Sequence, residues 1–149
     1  MTRTYARKLA VQLSFAEGFG SDIPPIEFLT EEYLASFLSE DGLPDKVPET
    51  EQLNYIIQLV NGVSEKKDEL DEIISGYLRG WKLNRISKTA LTVLRCALYE
   101  IIYMDDVPAS AAINEAVELC KEYDDEDTVR FVNGILGSFM RDREGKSKE

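Results

Sequence analysis

Apolar residues recur at three- and four-residue spacing along almost the whole chain, and no segment alternates apolar with polar between hairpin-type turns. A period near 3.6 is what a helix with one buried face needs, whereas a half-buried strand needs a period of two. The chain is therefore expected to be all-α. Tyr5, Leu9, Leu13 and Ala16, with Ala6 alongside, mark a first helix over about residues 3–17, ended by Gly18 and Gly20. Pro24-Pro25 opens a second through Ile26, Leu29, Tyr33, Leu34 and Phe37. Residues 39–50 hold Gly42, Pro44 and Pro48 among acids and read as a loop, the best position for a hinge. Leu53, Ile56, Ile57 and Val60 mark a third helix stopping near Gly62. Ser64 is placed to cap a fourth, which runs through Leu70, Ile73, Ile74 and Tyr77 to about Leu78. The connector from Arg79 to Arg85 contains Trp81.

Ser87 can cap a fifth helix whose apolar set is dense: Ala90, Leu91, Val93, Leu94, Ala97, Leu98, Ile101 and Ile102. A stripe that wide suits a helix buried on more than one side. Pro108 suits the first turn of a sixth helix, with Ala112, Ile113, Ala116, Leu119, Cys120 and Tyr123 facing the core. Thr128, Val132, Ile135, Leu136 and Phe139 form the core face of a seventh. About seven helices in two helical subdomains sharing one core follow: residues 1–63, residues 64–141, and a frayed tail at 142–149.

Composition narrows the chemistry. With no histidine among 149 residues, the commonest general base and metal ligand is missing. There is no paired-cysteine metal spacing, no Gly-rich phosphate loop and no G-x-S-x-G elbow, so no bound cofactor or metal is expected. Asp105-Asp106 and Asp124-Asp125 read as solvated turn charge. Cys96 and Cys120 sit among apolar neighbours and are expected to be buried, reduced thiols. No apolar run is long enough to span a bilayer, and no apolar signal region follows the basic N-terminus, so a cytoplasmic protein without a membrane partner is expected.

The net charge of −11 argues against a polyanionic partner, but its distribution does not. Residues 1–16 contain Arg3, Arg7 and Lys8 and no acid, which leaves 14 of the 17 basic residues against all 28 acidic ones in the remainder. A positive end on a negative body can orient a polyanion, although a basic helix merely solvated by water has the same composition.

Some residues do not fit a core stripe. At 100° per residue, the first helix turns Arg3, Arg7, Val11 and Ser14 away from Leu9 and Leu13, with Lys8 and Phe15 on the flank. Cations beside a ring suit a single-stranded nucleic acid: the charges neutralise phosphates and the ring stacks on a base. Packing of Phe15 against a neighbouring helix would place it equally well. The seventh helix carries Arg130, Gly134, Gly137 and Arg141 along its back, with Phe131 and Asn133 on opposite flanks of the buried stripe. Each glycine costs ~1 kcal/mol relative to alanine, so the pair needs a reason. Close helix–helix packing is the commoner one, and approach of a partner or a phosphodiester chain is another. Asn133 can bond a base edge or a buried carbonyl. Arg95 and Glu100 in the fifth helix, and Asn114 and Glu115 in the sixth, are read as an internal polar network fixing register.

Four segments in order then carry a family resemblance. They are Ala6-Arg7-Lys8-Leu9-Ala10-Val11-Gln12-Leu13; Arg85-Ile86-Ser87 with Leu94-Arg95-Cys96-Ala97-Leu98-Tyr99-Glu100-Ile101; Val107-Pro108 with Ala112-Ile113-Asn114-Glu115-Ala116-Val117-Glu118-Leu119; and Phe131-Val132-Asn133-Gly134-Ile135-Leu136. Together they resemble the NusB family of transcription antitermination factors, and residues 18–55 add little. The resemblance implies an all-helical, non-enzymatic protein. It implies binding to the single-stranded boxA element of ribosomal RNA leaders together with NusE, a ribosomal protein. The complex would act on RNA polymerase with other Nus factors to promote read-through. By the same resemblance Arg3, Arg7, Lys8, Gln12 and Phe15 face RNA from the first helix, and Asp127, Arg130, Phe131 and Asn133 from a second segment. Tyr77, Trp81 and Tyr99 are the protein-partner residues expected on the C-terminal subdomain. Some family members open with a denser arginine run, so weak RNA binding alone and tighter binding with NusE are expected. The other readings are an RNA-binding accessory domain like those fused to ribosomal RNA cytosine methyltransferases, and a helical adaptor that binds protein only.

Overall fold

A computed structural model describes residues 2–18, 50–78 and 85–147. Among them it contains six helices and no strand: α1 (Arg3–Gly18), α2 (Thr50–Glu65), α3 (Lys67–Ser75), α4 (Lys88–Tyr103), α5 (Ala109–Tyr123) and α6 (Glu126–Ser147). The helix expected after Pro24-Pro25, the loop at 39–49 and the connector with Trp81 lie outside the described residues. The chain divides into two compact units, Met1–Glu65 and Lys66–Glu149.

In the first unit α1 packs on α2. Ala6 and Ala10 are wholly buried in α1, and methyl-sized side chains there let a neighbouring backbone come close. From α2, Leu53, Ile56, Leu59, Val60 and Val63 are buried, each worth ~1.5–3 kcal/mol of transfer free energy. At one end Arg3 reaches Gln52, and at the other the Ser64 hydroxyl donates to Glu17 Oε1 at 2.9 Å. Start meets start and end meets end, so the two helices run parallel.

The boundary between the third and fourth expected helices falls elsewhere. Glycine at 62 does not stop α2, which continues to Glu65. One interior glycine costs ~1 kcal/mol, less than burying Leu59 and Val63 on either side of it recovers. Ser64 does not cap α3, because α2 continues through it; its hydroxyl donates to Glu17. The residue before α3 is Lys66, at φ −101° and ψ 13°, with no side-chain cap. The end of α3 also comes early. After Ser75 the chain tightens into turns in which the Tyr77 N–H donates to the Ile74 carbonyl and the Leu78 N–H to that of Ser75.

The second unit is built around α4. Every residue from Ala90 to Ile101 is buried, as its apolar density requires. Ser87 caps it as expected, its Oγ accepting the Ala90 N–H at 3.0 Å. Arg95, inside this apolar helix, is neutralised by Asp71 of α3 through a two-pronged pair at 2.7 and 2.8 Å. That contact fixes the register of α3 on α4 and supports the polar-network reading for Arg95. Asn114 does not belong to any such network, because it is exposed. Ala112, Ala116, Leu119 and Cys120 supply the α5 face, and Val132, Ile135 and Leu136 that of α6. Tyr123, expected in the core, is 44% exposed. It is the last residue of α5, past the end of the packed stripe. Helix α6 extends past residue 142 to Ser147, and the Tyr77 hydroxyl donates to Asp142 on it.

Candidate nucleic-acid interface

The first group of site residues sits on α1, and its arrangement differs from the expected one. Arg7, Val11 and Ser14 are each only 5% exposed. Centring the core on Leu9 and Leu13 placed the stripe too far round. The fully buried Ala6 and Ala10 show that the inner face extends towards Arg7 and Ser14. What remains outermost is Thr4, Lys8, Gln12 and Phe15, which follow one another at four-, four- and three-residue spacing and so share a stripe. Lys8 and Phe15 on it are half-buried, and Gln12 is exposed.

Both arginines of α1 turn instead towards Tyr55 of α2. The Arg3 guanidinium carbon lies 4.1 Å from the ring centroid and that of Arg7 5.5 Å. Arg3 Nε donates to Gln52 Oε1 at 2.8 Å, and its Nη2 stands 3.6 Å from Glu51 Oε1. Tyr55 was not singled out from the sequence. Its ring adjoins the α2 stripe without belonging to its regular spacing, and only the tertiary contact shows its role as a cation platform.

The second group sits on the α5–α6 turn and on α6, in the other unit. Asp125 begins α6 by accepting the Thr128 N–H at 2.8 Å. That bond, with the Thr128 hydroxyl, holds its carboxyl below the usual range. Asp124 accepts from the Ser87 hydroxyl at 3.3 Å. Both turn carboxylates therefore have structural partners beyond solvent. Asp127 and Arg130 pair with each other one turn into α6, well exposed. Phe131 is half-buried, and Asn133 is exposed on the opposite flank. The Phe131 ring borders two recesses. One, of about 210 Å³, is shared with Arg85, Ile86 and Asp127. The other is a cleft of about 600 Å³ that runs along α6 past Gly134 and Ser138 to Arg141, with Tyr77 on its wall.

Helix packing among the described residues does not explain the two glycines of this face. A Cβ added at Gly134 would meet nothing within 4 Å, and one at Gly137 would meet only the tip of Arg141, at 3.5 Å.

Of the three aromatics expected at a protein interface, Trp81 lies outside the described residues. Tyr99 is 9% exposed and its ring centroid lies 5.0 Å from that of Tyr103. It is a core ring, and Tyr103 is the one nearer the surface. The Tyr103 hydroxyl donates to Glu69 Oε2 at 2.6 Å, and Lys66 Nζ lies 5.5 Å from its ring centroid. Tyr77 is half-buried, its hydroxyl donating to Asp142 Oδ2 at 2.7 Å and its ring meeting Phe139 edge-on. Burial, then the bond to Asp142, pushes its phenol up to about 12.

Among the described residues no group of histidine, cysteine or acidic side chains is arranged to hold a metal, and no helix is long and apolar enough to cross a membrane. Both cysteines are free and buried.

Comparison with known proteins identifies the family and the fold. The family model described as "NusB family" matches residues 4–141. The transcription antitermination protein NusB of Symbiobacterium thermophilum is 39% identical over 148 residues, covering 97% of this chain and 93% of that protein. A solved structure of T. maritima NusB superposes with a TM-score of 0.74 at 30% identity, covering 93% of this chain and 89% of that one. A structure of the antitermination factors NusB and NusE in complex with dsRNA shares the fold, with a TM-score of 0.69 at 23% identity over 93% of this chain and 96% of that one. With a family match that spans both units and relatives similar over nearly their full length, the chain belongs to the NusB family.

Proposed function

We propose that this chain is a transcription antitermination factor. It binds boxA-type single-stranded RNA of ribosomal RNA leaders together with NusE, and acts in the cytoplasm on RNA polymerase with other Nus factors, without enzymatic chemistry of its own. The observation that carries the reading is Phe131: a half-exposed ring between two recesses, beside the exposed pair Asp127 and Arg130. A π-face at the mouth of a recess suits base stacking, and an adjacent guanidinium suits phosphate. A solved complex of NusB and NusE with dsRNA, which shares this fold, supports NusE and an RNA as partners.

On this reading Lys8, Gln12 and Phe15 contact RNA from the outer stripe of α1, and Asp127, Arg130, Phe131 and Asn133 from α6. Arg3 and Arg7 act one layer beneath, their cations lodged against Tyr55 and their field added to that of Lys8. Tyr77 and the connector with Trp81 serve the protein partner, whereas the buried Tyr99 serves it only through its neighbours.

A mobility-shift titration of a boxA oligonucleotide against a scrambled one, with and without NusE, tests the reading. Preference for boxA is expected, weak alone and strengthened by NusE. Equal affinity for both RNAs in the presence of NusE would reject it. Lys8→Glu separates RNA binding from a protein-only adaptor: crosslinking to RNA should fall in the first case and stay unchanged in the second.

A further inference from the structure

Among the described residues nothing packs on the glycines of α6, and they form the floor of the larger recess. Two interior glycines are a standing cost to the helix that nothing within the described chain offsets. Without side chains on the floor, an approaching backbone can come several ångströms closer than it could over leucine or lysine. The flanks are chemically specific. Arg130 stands at one end with Phe131 beside it, and Arg141 at the other. Arg141 donates to the neutral Ser138 hydroxyl at 3.1 Å and forms no ion pair among the described residues. Asp142, the acid on this wall, is occupied by the Tyr77 hydroxyl at 2.7 Å, and Asp127 by Arg130. The Tyr77 hydroxyl leaves the charge of Asp142 in place, and Arg141 is the guanidinium of the cleft that has no ion-pair partner among the described residues.

We propose that this cleft is an extension of the RNA site, in which the sugar–phosphate backbone continues from the base stacked on Phe131 across Gly134 and Gly137 to Arg141. The inference rests on the RNA-binding reading above and adds a path and a terminal phosphate contact. At 1.5 Å rise per residue, Phe131 and Arg141 are ~15 Å apart along the helix. That is room for about four stacked nucleotides at ~3.4 Å each. The occupant is a nucleic-acid strand rather than a protein segment, because the ring of Phe131 and the unpaired guanidinium stand at opposite ends of a bare floor, as a base and a more distant phosphate of one strand would require.

Gly134→Leu tests the path. An added side chain has open space in the free protein, so the variant should fold and melt no lower than the wild type while binding boxA RNA several-fold more weakly in the presence of NusE. Arg141→Gln tests the end contact. The slope of log affinity against log salt should become shallower by about 0.7, the loss of one phosphate on a single strand, and Arg141→Lys should restore it. Trimming boxA by about four nucleotides from one end should abolish the difference between Arg141→Gln and wild type, by the same spacing. Phe131→Ala is the reference. If it loses boxA binding while Gly134→Leu and Arg141→Gln bind as tightly and with the same slope as wild type, the path is wrong and the RNA-binding reading survives. If none of the three alters binding, both fall. If Gly134→Leu weakens NusE binding and leaves RNA affinity unchanged in the isolated protein, the cleft is a protein site and the proposal is overturned.

Discussion

Tyr77 is a side chain whose ionisation is strongly altered by its setting. Its phenol should titrate near 12, because burial and the bond to Asp142 both favour the neutral form. A folded-state value above the unfolded one stabilises the protein below about pH 10, and the gain is lost as pH rises through the folded value. Absorbance at 295 nm should therefore show a late-titrating component that Tyr77→Phe diminishes, the Tyr103 phenol also being raised by its bond to Glu69. A normal titration in the wild type would break the link between Tyr77 and the end of α6. Cys120 makes a parallel case: burial, with the charge of Asp124, pushes its thiol up to about 11. Thiolate is the reactive form. Neither Cys120 nor the equally buried Cys96 should react with iodoacetamide at pH 8 until the protein is unfolded. Labelling at the native rate of a free thiol would contradict their placement.

At the scale of elements, the Arg95–Asp71 pair joins α3 to α4, with side-chain exposures of 6% and 19%. Removing one partner strands the other, so Asp71→Ala should cost about 3 kcal/mol in urea unfolding. The Asp71→Leu, Arg95→Met double variant should recover most of that loss, since well-packed apolar residues often replace a buried pair at no net cost. An additive double variant would show that the two charges are not coupled. At the start of α6, Asp125→Ala should lower the melting temperature at neutral pH. Because its carboxyl is held below the usual range, its contribution is present above about pH 4 and disappears as pH falls through the folded value. Wild type and variant should thus converge in acid.

These elements differ in how far the sequence disclosed them. Helix α4 was plain, because a helix buried all round must be apolar all round, and Ser87 marks its start with the right side chain in the right place. The outer face of α1 was not. With alanine at 6 and 10 and Val11 between, the apolar set spans most of the circumference, and which part is covered depends on partners far away in sequence. The α2–α3 boundary was hidden for a related reason: Gly62 and Ser64 are ordinary punctuation, overridden by the packing of Leu59 and Val63 and by Glu17. Gly134 and Gly137 were legible as a cost, but only the fold shows that no helix among the described residues explains them.

For the whole molecule the governing quantity is charge. The chain carries −11, and the cation of Arg3 at its basic end already faces Glu51. Affinity for RNA should therefore be modest alone and should fall with salt at a logarithmic slope of roughly −2, as about three phosphate contacts on a single strand imply. A slope near zero would mean that ionic contacts contribute little, and one much steeper would mean that Arg3 and Arg7 also reach phosphates. The account depends most on the ring of Phe131. Its central test is the affinity of Phe131→Ala for boxA RNA with NusE bound, alongside thermal melting to verify the fold. Losing one stacked base, worth ~1–3 kcal/mol, should weaken binding roughly 5- to 150-fold, and Phe131→Trp should retain it. A folded Phe131→Ala protein that binds boxA as tightly as the wild type would contradict the account.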